Sequence, residues 1–186
     1  MNYTSGMTKE LFDKVDEKDN IIGVTYKQEA HEKGFIHRVA AVYVFDKSGN
    51  LYVQDHVKAG LLDHSVGGHI IQGETYQVGA SREAEEELGI SDPVELLDVF
   101  YSDETYTGSN YRHMFGLFTC TPSASWRFKP NDEVHSIFPI SIEDIVQHMN
   151  ESPEKFTPGF LNTMEQYLKL VKSDLNLDID SFKNAA

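Results

Sequence analysis

Apolar residues in this chain fall into short alternating runs broken by polar turns, with two longer stretches of helical period. The segments Leu11-Phe12 and Ile21-Ile22-Gly23-Val24 flank Asp16-Glu17-Lys18-Asp19-Asn20, the pattern of a hairpin with a polar turn. A short helix is expected from Tyr26 to Lys33. Arg38 to Phe45 and Leu51 to Gln54 are strand-like, and Asp46-Lys47-Ser48-Gly49-Asn50 between them is a strong turn signal. The spacing predicts a helix from about Tyr76 to Leu88, closed by Gly89. Val94–Tyr101 and Tyr111–Cys120 form a second expected strand pair, with Ser102–Asn110 as a polar loop between them. Glu133–Pro139 is a further strand, and Ser141 has the character of an N-cap for a helix through His148. A last amphipathic helix runs from about Thr157 to Val171, with Phe160, Leu161, Met164, Tyr167, Leu168 and Val171 on one stripe. Strands flanked by helices in one unit predict an α+β or α/β sandwich.

The chain has 186 residues and neither repeats nor low-complexity linkers. It is expected to form a single domain over 1–186: an N-terminal extension 1–36, a core 37–140, C-terminal helices 141–172 and a tail 173–186. No stretch reaches the ~18–20 apolar residues of a membrane span, and Met1 to Lys9 lacks an apolar signal core. The single cysteine, Cys120, rules out an internal disulfide and fits a reducing cytoplasm; it is expected to be buried on a strand. The net charge of −14 argues against a nucleic-acid polymer as partner, since such binding rests on Lys and Arg neutralising phosphates. A small anion can still bind where divalent cations screen it.

The chemistry concentrates on the central helix. Glu83, Glu86 and Glu87 stand at i, i+3 and i+4 and share one face, where carboxylates repel by roughly 0.2–0.5 kcal/mol per pair. One reading is an exposed acidic helix; the other is a counter-ion site, and hard oxygen ligands suit Mg²⁺ or Mn²⁺. The surrounding residues favour the second. Gly68, Glu74, Arg82, Glu83, Glu86, Glu87 and Gly89 resemble the Nudix box, G-x5-E-x7-R-E-U-x-E-E-x-G-U with U a bulky aliphatic, and all of its fixed residues are present at the family spacing. Ala84 is small where a bulky aliphatic is usual, which should loosen packing under the helix.

The resemblance implies the Nudix fold, a mixed central sheet with a catalytic loop-helix-loop. It implies a hydrolase cleaving a phosphoanhydride in a small diphosphate-containing anion, such as a nucleoside diphosphate linked to another group. By the same resemblance Glu83, Glu86 and Glu87 bind Mg²⁺ (or Mn²⁺) with a backbone carbonyl at Gly67, and Glu83 or Glu87 is the general base. Glu74 and Arg82 would brace the loop onto the helix, and Gly68 and Gly73 would permit tight turns. Asn131-Asp132-Glu133-Val134 resembles a segment that supplies many family members with a further acid, which makes Glu133 the third catalytic candidate. Lys58 and Arg112 are the nearby basic residues that would steer phosphate. Homodimers are common in the family, and nothing in the sequence fixes an interface.

A second likeness covers about residues 9–170. The N-terminal hairpin, His31 and His37, Asp63-His64-Ser65-Val66-Gly67-Gly68-His69 and Phe156-Thr157-Pro158-Gly159-Phe160 resemble the isopentenyl-diphosphate isomerase-like branch of Nudix. Those enzymes use three histidines and glutamates for a metal, a catalytic cysteine beside the third histidine, and an acid on a later strand. His31, His37 and His69 fall at the histidine positions, but Gly67 stands in place of the cysteine and Tyr111-Arg112-His113-Met114-Phe115 carries no glutamate. Each histidine alone also reads as a packed or solvated residue; together, with His113, they form a candidate second metal site. Hydrolysis is therefore the leading reading. An isomerase-like activity on prenyl diphosphates is the second, and a non-catalytic nucleotide-ligand sensor the third; the intact box weighs against the sensor. Trp126 is read as bordering a pocket or a partner surface.

Overall fold

The computed structural model describes residues 10–56, 60–106 and 109–175. The expectations placed on Met1–Lys9, Lys58 and the tail beyond residue 175 lie outside these residues. The elements in order are β1 (Leu11–Val15), β2 (Ile21–Tyr26), α1 (Lys27–Lys33), β3 (His37–Val44), β4 (Leu51–His56), β5 (Leu61–Asp63), β6 (Val66–His69) and α2 (Tyr76–Leu88). They continue with β7 (Glu95–Tyr106), β8 (Ser109–Cys120), β9 (Ile137–Ile140), α3 (Ile142–Glu151), a single 3-10 turn (Pro153–Lys155) and α4 (Pro158–Leu175).

β3 organises the molecule. Its run Val39-Ala40-Ala41-Val42-Tyr43-Val44 is buried on both faces, as expected of a strand covered by helices above and below. Val39, Ala41 and Tyr43 pack in one layer with Leu117, Ile145, Phe160, Met164 and Leu168, so α3 and α4 cover that side. Ala40, Val42 and Val44 pack in the other with Ile70, Ala80, Ala84, Leu88 and Phe118, so α2 covers the opposite side. Each fully buried aliphatic or aromatic side chain in these layers contributes roughly 1.5–3 kcal/mol. The result is the expected α+β, α/β/α sandwich. Ala84 is fully buried in the α2 layer.

The main sheet is mixed, in the order β2-β1-β3-β8-β7. β3 and β8 run parallel, from His37 opposite His113 to Val44 opposite Cys120. β1 meets β3 only at Lys14–His37, and β6 takes over that edge of β3 from Val39 to Val42. A second sheet has the order β5-β4-β9.

Three local expectations are corrected. Ser102–Asn110 is not a long loop: β7 and β8 continue through it as an antiparallel ladder as far as Tyr106 opposite Ser109. Polar residues there alternate between faces, and sheet pairing outweighs their low strand preference. The strand expected from Glu133 begins only at Ile137. Asn131 Oδ1 accepts the backbone N–H of Glu133 at 2.9 Å and of Val134 at 2.7 Å, a local turn that keeps the chain off the sheet. β5 and β6 gave no strand signal; Val66-Gly67-Gly68-His69 has no apolar alternation and is extended because it pairs with β3.

Candidate active site

Thr75 caps α2, its side chain accepting the N–H of Val78 at 3.3 Å. Gly89 closes the helix with φ 64°, where its N–H returns to the helix carbonyls. Between these ends the helix turns Glu83, Glu86 and Glu87 toward the end of β6. Gly68 faces them, and a Cβ on Gly68 would land on the Glu83 carboxyl. The glycine is thus required by close approach of a side chain, not by the tight turn expected of it. Gly73 does hold a turn, with φ 81°. Gly68→Ala is expected to push Glu83 aside, costing about 1–3 kcal/mol of stability and most of the activity. Urea unfolding and turnover of the variant check this; unchanged values in both would show that Glu83 can relax without consequence.

Arg82 ties the loop to the helix. Its Nε and Nη2 donate to the Glu74 carboxylate at 3.0 Å each, and Nη2 also reaches the His69 carbonyl at 2.9 Å. Its Nη1 donates to Glu83 at 2.8 Å and to Glu86 at 3.0 Å. Glu74 further accepts the N–H of Ile71 at 2.9 Å. One guanidinium therefore joins the loop before α2 to two carboxylates on its acidic face, in the planar geometry that suits arginine.

Glu87 is 9% exposed. Gln54 Nε2 donates to it at 2.6 Å, and the Gly67 N–H also hydrogen-bonds to it. Burial is the largest influence on this carboxyl, with the Glu83 charge adding to it, and its pKa is pushed up to about 8. Burial likewise raises the Glu83 carboxyl, against the pull of Arg82. Glu133 is exposed on the 131–134 turn and lines the same cavity of about 510 Å³, together with Asp132 and Lys27. Crowded carboxyls held against their ionisation form a donor set that fits a hard divalent cation. Gly67, the expected carbonyl ligand, borders this cavity too.

The histidines converge around His69, next along β6 from Gly68. The candidate ligand atoms of His31, His37, His69 and His113 lie within 4.8 Å of one another. His31 Nε2 is 3.3 Å from His37 Nε2 and 3.4 Å from His69 Nε2. His37 Nδ1 donates to the Phe35 carbonyl at 2.9 Å, leaving Nε2 as a lone pair toward the cluster. Phe12 stacks on the rings of His37 and His69, at 5.5 and 4.7 Å between centroids. Both ring nitrogens of His113 are sealed from solvent with no hydrogen-bond partner, which is costly for a buried polar group. Burial depresses all four imidazoles, that of His37 to about 4. Four neutral imidazoles with inward nitrogens fit a first-row transition metal better than Mg²⁺.

A cavity of about 330 Å³ opens beside this cluster, walled by His31, His69, His113, Tyr111, Phe115 and Glu104. It adjoins the acidic cavity, the two sharing Asp63, His64, Gly67, Gly68 and His69. Glu104 was expected only as part of the polar loop 102–110, a candidate specificity segment, and not as an acid of this site. It is 7% exposed, its carboxylate accepts Ser102 Oγ at 2.8 Å, and Asn162 Nδ2 donates to Ser102 Oγ at 2.9 Å. Ladder register sets it opposite Tyr111. The alternation Phe100, Ser102, Glu104 was its available signal, hidden because Ser102 onward read as loop. Asp63 and His64 were noted only within a longer motif. They pair at 2.7 Å, His64 buried and Asp63 half-buried, and His64 Nε2 meets Thr163 Oγ1 of α4 at 2.7 Å. Arg112 lies away from both cavities, paired with Asp103 at 3.2 Å and Glu17 at 3.3 Å. Trp126 serves packing: its indole donates to the Leu88 carbonyl at 2.9 Å, at the end of α2. Cys120 is buried in the α2 layer, far along β8 from His113.

An α/β/α sandwich whose helix brings three glutamates onto a glycine-bearing strand defines a class, and comparison with known proteins agrees with it. Residues 35–160 match the family model for the NUDIX domain. The chain belongs to the Nudix family. It is 30% identical over 182 residues to an isopentenyl-diphosphate Delta-isomerase of Serratia proteamaculans, covering 88% of this chain and 99% of that one. It is 31% identical over 165 residues to an uncharacterized Nudix hydrolase of Yersinia pestis, covering 86% of each. Among solved structures, a Deinococcus radiodurans protein shares the fold with a TM-score of 0.61 at 22% identity, over 77% of this chain and 90% of that one. A MutT Nudix hydrolase of Burkholderia pseudomallei gives 0.55 at 19% identity, over 70% and 97%. No described helix is long and apolar enough to cross a membrane.

Proposed function

We propose that the chain is a Mg²⁺-dependent hydrolase of a small diphosphate-containing compound, cleaving a phosphoanhydride in the acidic cavity. The observation that carries this reading is the convergence of Glu83, Glu86 and Glu87 on Gly67 and Gly68 in one 510 Å³ cavity. Glu83, Glu86 and Glu87 would hold Mg²⁺, which when bound would neutralise phosphate charge and lower the pKa of a water. Arg82 keeps Glu83 and Glu86 oriented while its other nitrogens grip Glu74 and the His69 carbonyl. Gln54 fixes the Glu87 carboxyl from the second sheet. Glu83 or Glu87 accepts the proton from water, and Glu133, exposed on another wall, passes it to solvent. The test is release of phosphate or nucleotide from a panel of ADP-ribose, NADH, nucleotide sugars, dinucleoside polyphosphates, nucleoside triphosphates and isopentenyl diphosphate. It is run with Mg²⁺ and then Mn²⁺. Turnover of none of these would overturn the reading.

The cluster of His31, His37, His69 and His113 supports a second metal centre. With it goes the second reading, an isomerase-like proton transfer on a prenyl diphosphate. Glu104 favours that alternative, because it provides the cavity with the carboxyl that the strand 111–115 lacks. Conversion of isopentenyl diphosphate without phosphate release would establish it over hydrolysis.

The pH dependence has a definite sign. Without metal, the Glu87 pKa is raised from 4.5 to about 8. A carboxyl raised on folding stabilises the native state below its unfolded pKa, and that contribution is lost as pH rises through the folded value. Metal-free protein should lose stability between about pH 5 and pH 8, and Mg²⁺, which favours the ionised carboxylates, should offset the loss. The Mg²⁺-induced rise in Tm is expected to grow across this interval. A shift of constant size from pH 5 to 8 would argue against Glu87 as a ligand.

A further inference from the structure

The last turn of a helix leaves its carbonyls without helical partners. At the end of α2 the Gly89 N–H takes the Glu85 carbonyl at 2.9 Å. The next three carbonyls, of Glu86, Glu87 and Leu88, are met by side chains from the segment between β8 and β9. Trp126 Nε1 donates to the Leu88 carbonyl at 2.9 Å. Asn131 Nδ2 donates to the Glu87 carbonyl at 2.8 Å and to the Glu86 carbonyl at 3.3 Å. The other end of the same amide is equally engaged. Its Oδ1 accepts the N–H groups of Glu133 and Val134, and the Asn131 N–H closes the turn on the Val134 carbonyl at 3.0 Å. A primary amide has two donor hydrogens and an oxygen with two lone pairs, and all are used here. A carboxylate of the same shape would lack the donors, and an aliphatic side chain would lack both halves.

We propose that Asn131 is a positioning residue: it holds the Glu133 carboxylate against Glu83 and Glu87 by tying the 131–134 turn to the backbone of the metal-binding helix. The inference rests on the reading of the acidic cavity as a metal site. Glu133 and Asp132 wall that cavity from a stretch, 121–136, that forms neither helix nor strand. Surface segments of this kind are mobile unless anchored. Val134, buried against the α2 layer, is one anchor, and the Asn131 amide is the other. The Glu133 charge disfavours ionisation of both Glu83 and Glu87, as a carboxylate close to each would. Because Asn131 bonds to the main chain of Glu86 and Glu87, the turn follows the helix. The spacing of the carboxyls is then set by one side chain and not by the length of the loop.

The test is a double-mutant cycle read in Mg²⁺ binding, by titration calorimetry of the metal-free chain with MgCl2. Glu133→Gln removes one negative charge from the cavity wall and should weaken binding roughly tenfold. Asn131→Ala should weaken it by a similar factor, because the carboxylate is released from its place. The double variant should bind no more weakly than the weaker single. Parent affinity in either single variant, or losses that add in the double, would overturn the proposal. Asn131→Ser separates positioning from local folding. Its hydroxyl can still accept from the turn but is too short to reach the helix carbonyls. Amide hydrogen exchange at Glu133 and Val134 should stay slow in this variant while Mg²⁺ binding weakens as with alanine. Slow exchange together with parent affinity would assign Asn131 to the turn alone. Turnover gives a second readout, with whichever panel compound the parent cleaves fastest. There kcat should fall by roughly 10²-fold in Asn131→Ala, as for a reacting group displaced by about 1 Å, with KM changed less. A panel with no turnover would remove the hydrolase reading, and the Mg²⁺ cycle would still decide the role of Asn131.

Discussion

Glu87→Gln is expected to lower Mg²⁺-dependent turnover by roughly 10²–10³-fold or more, while leaving the fold intact. The carboxyl is buried, so the amide enters the same space and its carbonyl oxygen can accept the bond from Gln54 Nε2 now seen at 2.6 Å. The amide also resembles the neutral acid, the form that burial favours at Glu87 up to about pH 8. Metal-free thermal stability at pH 8 should therefore be equal to that of the parent chain or higher, and the Mg²⁺-induced shift should shrink. Loss of activity with retained or raised Tm is the signature of a removed ligand. Near-normal turnover would remove Glu87 from the mechanism, and loss of activity through unfolding would mean that the carboxylate serves structure instead.

His113→Leu is expected to act in opposite directions on stability and on metal binding. The His113 nitrogens are buried with no partner, and an unsatisfied buried polar group costs about 1–3 kcal/mol. Leucine fills a similar volume without that cost, so the metal-free variant should be more stable by about that amount. The parent chain should bind Zn²⁺ or Mn²⁺ at the four imidazoles, gaining about 4 kcal/mol at a thousandfold excess over Kd. The variant should lose most of that gain. Urea unfolding with and without Zn²⁺, together with titration calorimetry, reads both effects. A variant destabilised without metal, yet still stabilised by Zn²⁺ as strongly as the parent, would assign His113 to packing. Anomalous scattering from Mn²⁺- or Zn²⁺-soaked crystals would locate the ion, and no peak near His69 would count against the centre.

The two cavities suggest how a diphosphate would lie. They meet along β6, where Gly68 faces Glu83, the Gly67 N–H reaches Glu87 and His69 joins the other histidines. The acidic cavity would take the charged diphosphate with its metal. The smaller one, with Phe115, Val39 and Tyr111 among its walls, would take the attached group. Arg82 spans the boundary, since one of its nitrogens holds the His69 carbonyl and another holds Glu83 and Glu86.

The acidic face of α2 was legible in the sequence because a helix fixes its own geometry: i, i+3 and i+4 are neighbours whatever surrounds them. The same local logic gave the caps at Gly89 and Ser141, and β3 as a continuous apolar run. The role of Gly68 was not legible, because it depends on where the Glu83 side chain comes to rest in space. Nor was the extended state of β6, whose glycines carry no strand preference and which is held by the stretch of β3 that β1 does not pair. Glu104 was hidden for a related reason: polar residues in a hairpin look like a loop until pairing with β8 imposes alternation on them. The histidine cluster lies between these cases. His31, His37 and His69 were singled out by likeness, but only the parallel pairing of β3 with β8, which sets His113 opposite His37, completes four nitrogens around one point. By itself the sequence determined the chemistry available on each local element. The tertiary structure decided which of those elements meet, because sheet register and close approach join residues that are far apart along the chain.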